Sequence, residues 1–338
     1  KTTTKDMAAD ILSMKFNVVK TEGNLNNEVG LPLTVFRIDQ STEIAVLEMG
    51  MNQFGEIHNL SRVGTPEVCI MTNIGDAHIG NLGSREGILK AKSEIFDFAD
   101  EKAVAILNGD DVLLNKISPK VDKILYYGTD TSAFCQFEKL EDLGFEGTLW
   151  RITVDGEQFT INIPLPGDYL AYNAAAAICA GKHFGVDNKD IALAMKNFKP
   201  SKNRMNIFEL NGAVFINDVY NASPPSMRAM IDSIKHGKCR KICVFGDMLE
   251  LGDKSADYHE EVGKYAADAK VDMLFLIGGF CKDYERGFKQ ASNNEVFSFN
   301  ELDSLCLKLK EHIKSGDTVL IKASRGMKFE RIIEELKK

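Results

Sequence analysis

Short apolar runs that stop on polar residues recur along this chain, and they constrain its fold more than any other feature. Ile44–Glu48, Val68–Thr72 and Ala103–Leu107 come first, with helical patterns between them. Strands covered by helices on both faces need apolar side chains without alternation, so these runs predict a parallel sheet in an α/β arrangement. Leu149–Val154 and Gln158–Ile163 flank Asp155-Gly156, a strong two-residue hairpin signal. Ala171–Phe184 reads as a helix closed by Gly185. The periodicity then lapses near Lys199-Pro200-Ser201-Lys202-Asn203, and a second alternation begins. Its strands are Val214–Asn217, Ile242–Phe245, Met273–Ile277 and Thr318–Ile321, with helical stretches such as Ala256–Ala269 and Lys328–Leu336 between them. The expected organisation is two domains, 1–207 and 208–338, the second a Rossmann-like doubly wound unit.

The 338 residues fit that division, since a domain runs to about 100–200 residues. The 41 basic and 49 acidic residues give a net charge of −8, which offers no overall field for a nucleic-acid backbone. Seven cysteines are scattered without a CxxC pair, the pattern of reduced thiols in a cytoplasmic protein. Cys239 and Cys243 lie at the start of a strand and do not read as a metal site. No apolar run approaches the length of about 18 residues that a membrane helix needs. The chain opens on Lys1-Thr2-Thr3-Thr4 and goes straight into an amphipathic helix bearing Met7, Ala8, Ile11 and Leu12. With no signal-peptide pattern and no leading strand, it reads as cut inside a motif.

That motif is the tail of a phosphate-binding loop, in which a Lys reaches phosphate oxygens and the next hydroxyl ligates Mg²⁺. Alone, the four residues read more readily as a solvated helix start with Thr caps than as that tail. Glu48 closes an apolar strand, where open α/β folds bind ligands and where an acid can hold Mg²⁺. His78, in Thr72-Asn73-Ile74-Gly75-Asp76-Ala77-His78, follows the next strand and is expected on the same edge. Lys92 sits on an amphipathic helix and by spacing alone is a solvated lysine. Asn173 lies in the first turns of a helix after Pro166-Gly167. Arg204 sits between the domains, where a guanidinium suits phosphate. Asp218 ends the second domain's first strand, as a ribose acceptor or as a cap for the helix near Met227. Gly278-Gly279 follows a strand, but neither α/β unit has GxGxxG, which disfavours a nicotinamide dehydrogenase.

Taken in order, KTTT, GNLNNEVGLP, LEMG, TNIGDAHI, AKSEIF, LPGDYLAYNAAAA, NR, NDVYNASPPSM, FGDMLELG and KASRGMKFE resemble the Mur ligase family throughout the chain. The resemblance implies a central P-loop-type ATPase domain with a mostly parallel sheet, followed by the Rossmann-like domain. It implies ATP, two Mg²⁺ ions and an N-carbamate on Lys92, which would turn a cation into an anionic oxygen ligand for a hard ion. Lys1, Thr2 and Thr3 resemble the phosphate-loop residues, and Thr2, Glu48, His78 and carbamylated Lys92 resemble the metal ligands. Lys1, Glu48, His78, Lys92 and Arg204 take the catalytic roles. Asn173, Arg204, Asp218, Tyr220 and Asn221 match nucleotide contacts. Asn24, Asn26, Asn27, Lys322, Ser324 and Arg325 match substrate contacts. The last three motifs resemble the member that joins D-alanyl-D-alanine to UDP-N-acetylmuramoyl-tripeptide through an acyl phosphate. The implied protein is a cytoplasmic monomer that neither enters a membrane nor binds nucleic acid. The resemblance also implies a uridine-binding domain and phosphate-loop glycines ahead of residue 1. Another amide ligase of the superfamily (third-residue-adding or folylpolyglutamate synthase) and a nucleotide-binding fragment without ligase activity stay open.

Overall fold

The computed structural model describes residues 1–237 and 239–337, which form two compact units, 1–201 and 202–338. The first unit carries the strands β1 (Val18–Lys20), β2 (Ile44–Val46), β3 (Val68–Met71), β4 (Val104–Asn108), β5 (Lys123–Gly128), β6 (Cys135–Asp142), β7 (Thr148–Val154) and β8 (Glu157–Ile163). Its helices are α1 (Thr2–Leu12), α2 (Gly30–Val35), α3 (Glu56–Gly64), α4 (Ile79–Leu82), α5 (Arg85–Ser93), α6 (Tyr169–His183) and α7 (Asn188–Lys196). Among the described residues β1 and β2 pair parallel, and a second sheet runs β3-β4-β5-β6-β7-β8. That sheet is parallel as far as β6 and antiparallel beyond it. The β7–β8 turn sits on Asp155 and Gly156 at φ +52° and +77°, the two left-handed residues that a type I′ hairpin needs.

Burial follows the apolar runs only in part. All five residues of β4 are buried, as a strand covered on both faces should be. β2 departs from the expected buried strand, because among the described residues it pairs with β1 alone and it borders a cavity of about 580 Å³. Ala45, Leu47, Val68, Ile70 and Leu12 are among the residues lining that cavity. The small residues of α6 let α1 lie close against it: Ala174–Ala177 are fully buried, and a Cβ on Gly181 would stand 2.5 Å from Ile11.

The second unit holds β9 (Asn206–Leu210), β10 (Ala213–Asp218), β11 (Lys241–Gly246), β12 (Met273–Ile277), β13 (Glu295–Phe299) and β14 (Thr318–Lys322) in the order β13-β12-β11-β14-β10-β9. All neighbours are parallel except β9 with β10. Its helices are α8 (Pro224–Ser233), α9 (Ser255–Asp268), α10 (Cys281–Lys289), α11 (Leu302–His312) and α12 (Glu330–Leu336). The expected boundary at 207/208 cuts through β9, which Ile207↔Ile216 and Phe208↔Phe215 pairing ties to the second sheet. The lapse in periodicity marked the connector, and the division falls at 201/202.

Helices α9 and α10 touch through glycines. A Cβ on Gly287 would lie 1.9 Å from the Glu260 carbonyl oxygen, and one on Gly263 would lie 2.1 Å from the Tyr284 carbonyl oxygen. Backbone cannot yield as a flexible side chain does, so Gly287→Ala should cost about 1–3 kcal/mol through overpacking. Urea unfolding checks this, and an unchanged midpoint would contradict the close approach. The seven cysteines are free thiols, and among the described residues no helix is long and apolar enough to cross a membrane.

Candidate active site

In the first unit the expected site residues converge from three loops. Lys1 caps α1, and the Thr2 hydroxyl donates to Glu48 Oε1 at 3.1 Å. Asn26 Nδ2 donates to the same oxygen at 2.8 Å. Glu48 is only 5 % exposed, and its Oε2 is buried with no protein hydrogen-bond partner. A buried carboxylate oxygen in that state costs free energy unless something positive meets it.

The Glu48 position is set by Thr21. Its N–H donates to the Val46 carbonyl at 3.0 Å, its hydroxyl accepts from the Glu48 N–H at 2.9 Å, and its carbonyl accepts from Lys5 Nζ at 2.7 Å. The following asparagine loop is folded by its own side chains. Asn27 Oδ1 accepts from the Gly30 N–H at 2.8 Å, at the start of α2, and the Asn26 carbonyl accepts from the Gly50 N–H at 2.7 Å. Gly30 is needed there, since a Cβ would sit 2.4 Å from Leu25 Cα. A cavity of about 400 Å³ results, lined by Lys1, Asn24, Asn26, Asn27, Glu56 and His78 among others.

His78 reaches this cavity in a left-handed conformation, φ +66°, which a non-glycine residue adopts only when its surroundings hold it there. The loop before it is held from outside. Asn108 Nδ2 and Tyr127 Oη donate to the Thr72 carbonyl at 3.1 and 3.2 Å, and Arg85 Nη2 donates to the Ile74 carbonyl at 2.7 Å. The Ile74 N–H donates to Asp111 Oδ2 at 2.7 Å. None of these four side chains is marked by a motif. Their signal in the sequence is only Asn108 and Asp111 at the end of an apolar strand.

Lys92 Nζ donates to the Asn73 carbonyl at 2.6 Å and lines the larger cavity together with Lys1 and Glu48. The residue keeps some exposed surface, but its amino group is packed among protein atoms. Burial first, and the Lys1 charge second, push its pKa down to about 8, with Asp111 opposing. Thr3 lies half-buried on α1, and Asn173 Oδ1 accepts from the Thr4 hydroxyl at 3.0 Å.

In the second unit, the Arg204 guanidinium lies over the Tyr220 ring, 3.8 Å from its centroid. Asp218 Oδ1 accepts from the Met205 N–H at 3.1 Å, and its Oδ2 accepts from Lys322 Nζ. Asp218 is therefore not the cap of α8, whose N-terminus is closed by Ser223 and Ser226. Asn221 Oδ1 accepts from the Ala222 N–H at 2.9 Å. Of the three expected substrate contacts here, Lys322 and Ser324 are buried, and only Arg325 is exposed, paired with Glu330 at 3.1 Å. Ser324 Oγ accepts from the Leu249 N–H at 2.9 Å. Gly279 serves Asp247, whose Oδ2 accepts its N–H at 2.8 Å.

Among the described residues no group of three or more His, Cys, Asp or Glu is placed to hold a metal. Mg²⁺ fits the Glu48 site all the same, because this hard ion takes one or two carboxylates and completes its shell with water and substrate phosphate. The orphaned Oε2 and the adjacent Thr2 hydroxyl supply the right donor atoms.

A lysine at a helix start, a hydroxyl on a buried acid and a polar cavity at the ends of parallel strands are what a nucleotide-dependent α/β enzyme needs. Residues 1–181 match the Mur ligase middle domain and residues 203–325 the Mur ligase, glutamate ligase domain. The chain belongs to the Mur ligase family. It is 41 % identical, over 99 % of its own length and 73 % of the relative's, to UDP-N-acetylmuramoyl-tripeptide--D-alanyl-D-alanine ligase of Bacillus subtilis (strain 168). The crystal structure of MurF from Acinetobacter baumannii superposes with a TM-score of 0.91 at 29 % identity, over 100 % of this chain and 74 % of that one. MurF ligase from Thermotoga maritima in complex with ADP gives 0.87 at 29 % identity, over 99 % and 77 % of the two chains.

Proposed function

We propose that the chain catalyses ATP-dependent amide formation, joining D-alanyl-D-alanine to UDP-N-acetylmuramoyl-tripeptide in the cytoplasm, where peptidoglycan precursors are made. The observation that carries this reading is the 41 % identity to the Bacillus subtilis ligase across 99 % of the chain. The site geometry supports it with a helix-start lysine, a buried carboxylate and an asparagine-lined cavity in one unit.

The tripeptide's terminal carboxylate is a poor electrophile at neutral pH. Its oxygen attacks the γ-phosphorus of ATP, which releases ADP and leaves an acyl phosphate. The amine of D-alanyl-D-alanine then attacks the acyl carbon. The tetrahedral intermediate expels inorganic phosphate, and the new amide nitrogen gives up its proton. Lys1 places an ammonium beside the γ-phosphate, offsetting the approach of one anion to another. Glu48 and Thr2 are the proposed ligands of one Mg²⁺, and His78 and an N-carbamate on Lys92 serve a second. When bound, these ions neutralise charge across the phosphates. Asn24, Asn26 and Asn27 line the cavity proposed to take the muramoyl peptide. Asn173 steadies the start of α1 through Thr4, and Thr3 follows on the same turn. In the second unit, Arg204 stacked on Tyr220 is the proposed phosphate contact, Asn221 a proposed nucleotide contact and Arg325 a proposed partner for the amine substrate's carboxylate. The reading takes the chain as a monomer.

The test is trapping by hydroxylamine with ATP and the muramoyl tripeptide, followed by amide formation on adding D-alanyl-D-alanine. A hydroxamate that needs both ATP and the tripeptide is expected. ATP binding by calorimetry without any hydroxamate would replace the ligase with a nucleotide-binding module. Turnover of a folate with glutamate instead would move the chain to another member of the superfamily.

A further inference from the structure

Lys322 and Asp218 stand directly opposite each other where β14 and β10 end. Lys322 is 1 % exposed, and its ammonium is bonded to Asp218 Oδ2 and, at 2.8 Å, to the Asn221 carbonyl. An ammonium so enclosed and already bonded is poorly placed to meet a substrate. The other Asp218 oxygen accepts from the Met205 N–H at 3.1 Å, one residue beyond Arg204. On the other side of Arg204, the Asn203 carbonyl accepts from the Tyr220 N–H at 3.1 Å, and Asn203 Oδ1 accepts from Asn217 Nδ2 at 3.4 Å. Asn203 and Met205 both hold left-handed backbone, φ +64° and +45°. Residues with a Cβ take that conformation when neighbouring bonds over-determine it. Arg204 lies between these two fixed points with its guanidinium on the Tyr220 ring.

We propose that Lys322 is a positioning residue that holds Asp218 against the Met205 amide and so fixes Arg204 on Tyr220. The chain of contacts runs from β14 through the carboxylate to the connector backbone and then to the guanidinium. The inference rests on the ligase reading only for its kinetic consequence; the geometric part concerns the second unit alone. Removing one member of a buried ion pair leaves the other charged and unpaired, whereas replacing both with neutral groups of similar size removes that penalty. Asparagine at 218 keeps an oxygen for the Met205 N–H, so the strut's geometry survives without its charges.

Three versions of the chain decide it: wild type, Lys322→Met, and Lys322→Met with Asp218→Asn. The Arg204 Nε–H proton resonance, assigned by its loss in Arg204→Lys, is expected to be shifted upfield by the Tyr220 ring in the wild type. In Lys322→Met it should relax toward the value of an unstacked arginine, and the Met205 amide should exchange about tenfold faster or more. The double variant should restore both signals. In turnover assays Lys322→Met should lower kcat by about 10–100-fold while the KM for D-alanyl-D-alanine changes less than threefold, with most of kcat recovered in the double variant. A raised KM for D-alanyl-D-alanine in both variants, with the arginine resonance unmoved, would overturn the proposal and make Lys322 a substrate contact. If Lys322→Met does not fold, loss of the resonance shift in the folded double variant would overturn it equally. Absence of turnover in the wild type, with the spectroscopic pattern as described, would count against the ligase reading and leave the strut supported.

Discussion

Replacing Glu48 by Gln should weaken the Mg²⁺ dependence of ATP binding and lower ADP release by about 10²–10³-fold, the usual cost of losing one preorganised electrostatic contact to a reacting group. The substitution is close to isosteric, so the side-chain carbonyl can still accept from Asn26 and Thr2, as Oε1 does at 2.8 and 3.1 Å. What changes is the buried Oε2, which has no protein partner and becomes an NH₂ group. An amide nitrogen there turns hydrogens toward a cation instead of a lone pair. The fold should survive, because Thr21 still holds the backbone of residue 48. Glu48→Ala is a poorer probe, because it leaves the Asn26 amide without its acceptor, at about 1–3 kcal/mol. Calorimetric titration of ATP with and without Mg²⁺ separates the two effects. Unaltered Mg²⁺ dependence in Glu48→Gln would remove this carboxylate from the metal site.

Glu48 was legible in the sequence because a charge that ends an apolar strand has few reasons to be there. The same logic marked His78 after β3 and Asp218 at the end of β10. Lys322, which came from the resemblance alone, also ends an apolar strand but turns inward to an acid on the next strand. Strand-end position shows that a charge lies at the edge of the sheet. Which way it faces depends on the partner strand, and the pairing of β10 with β14 joins residues about a hundred apart in the chain. Nor could the sequence show the four side chains that grip residues 72–74. Asn108, Tyr127, Arg85 and Asp111 are ordinary polar residues until the sheet gathers them. Strands β1, β5, β6, β9 and β13 escaped notice, and shortness or charge accounts for two of them. β1 has three residues, and β6 reads Cys135-Gln136-Phe137-Glu138-Lys139-Leu140-Glu141-Asp142, too polar for a buried run.

Lys92 is where the bland sequence reading and the family resemblance diverge furthest, and its pH behaviour separates them. Forming a carbamate requires the neutral amine: its nitrogen attacks CO₂, one proton is lost, and a carboxylate remains on a nitrogen that keeps one N–H. That N–H can go on donating to the Asn73 carbonyl, which Nζ already meets at 2.6 Å. A lysine at the ordinary value of 10.5 is almost wholly protonated at neutral pH, whereas burial holds this one at about 8. At pH 7 the neutral fraction is thereby roughly 300-fold larger. The sign of the dependence follows. With the folded value depressed, the ammonium persists below about pH 8, and the adduct should build as pH rises through that point. Between there and 10.5 the unfolded chain binds more protons at this site than the folded one, so Lys92 makes stability increase with pH across that window. The measurement is ¹³C NMR of the chain in ¹³C-bicarbonate from pH 6.5 to 9. One carbamate resonance, growing as pH rises through about 8 at fixed CO₂ and missing in Lys92→Ala, is expected. Lys92→Ala should also lose nearly all turnover, and added Mg²⁺ alone should not restore it. A carbamate signal that survives Lys92→Ala, or wild-type turnover in that variant, would return Lys92 to the role its spacing suggests, an ordinary lysine on the face of α5.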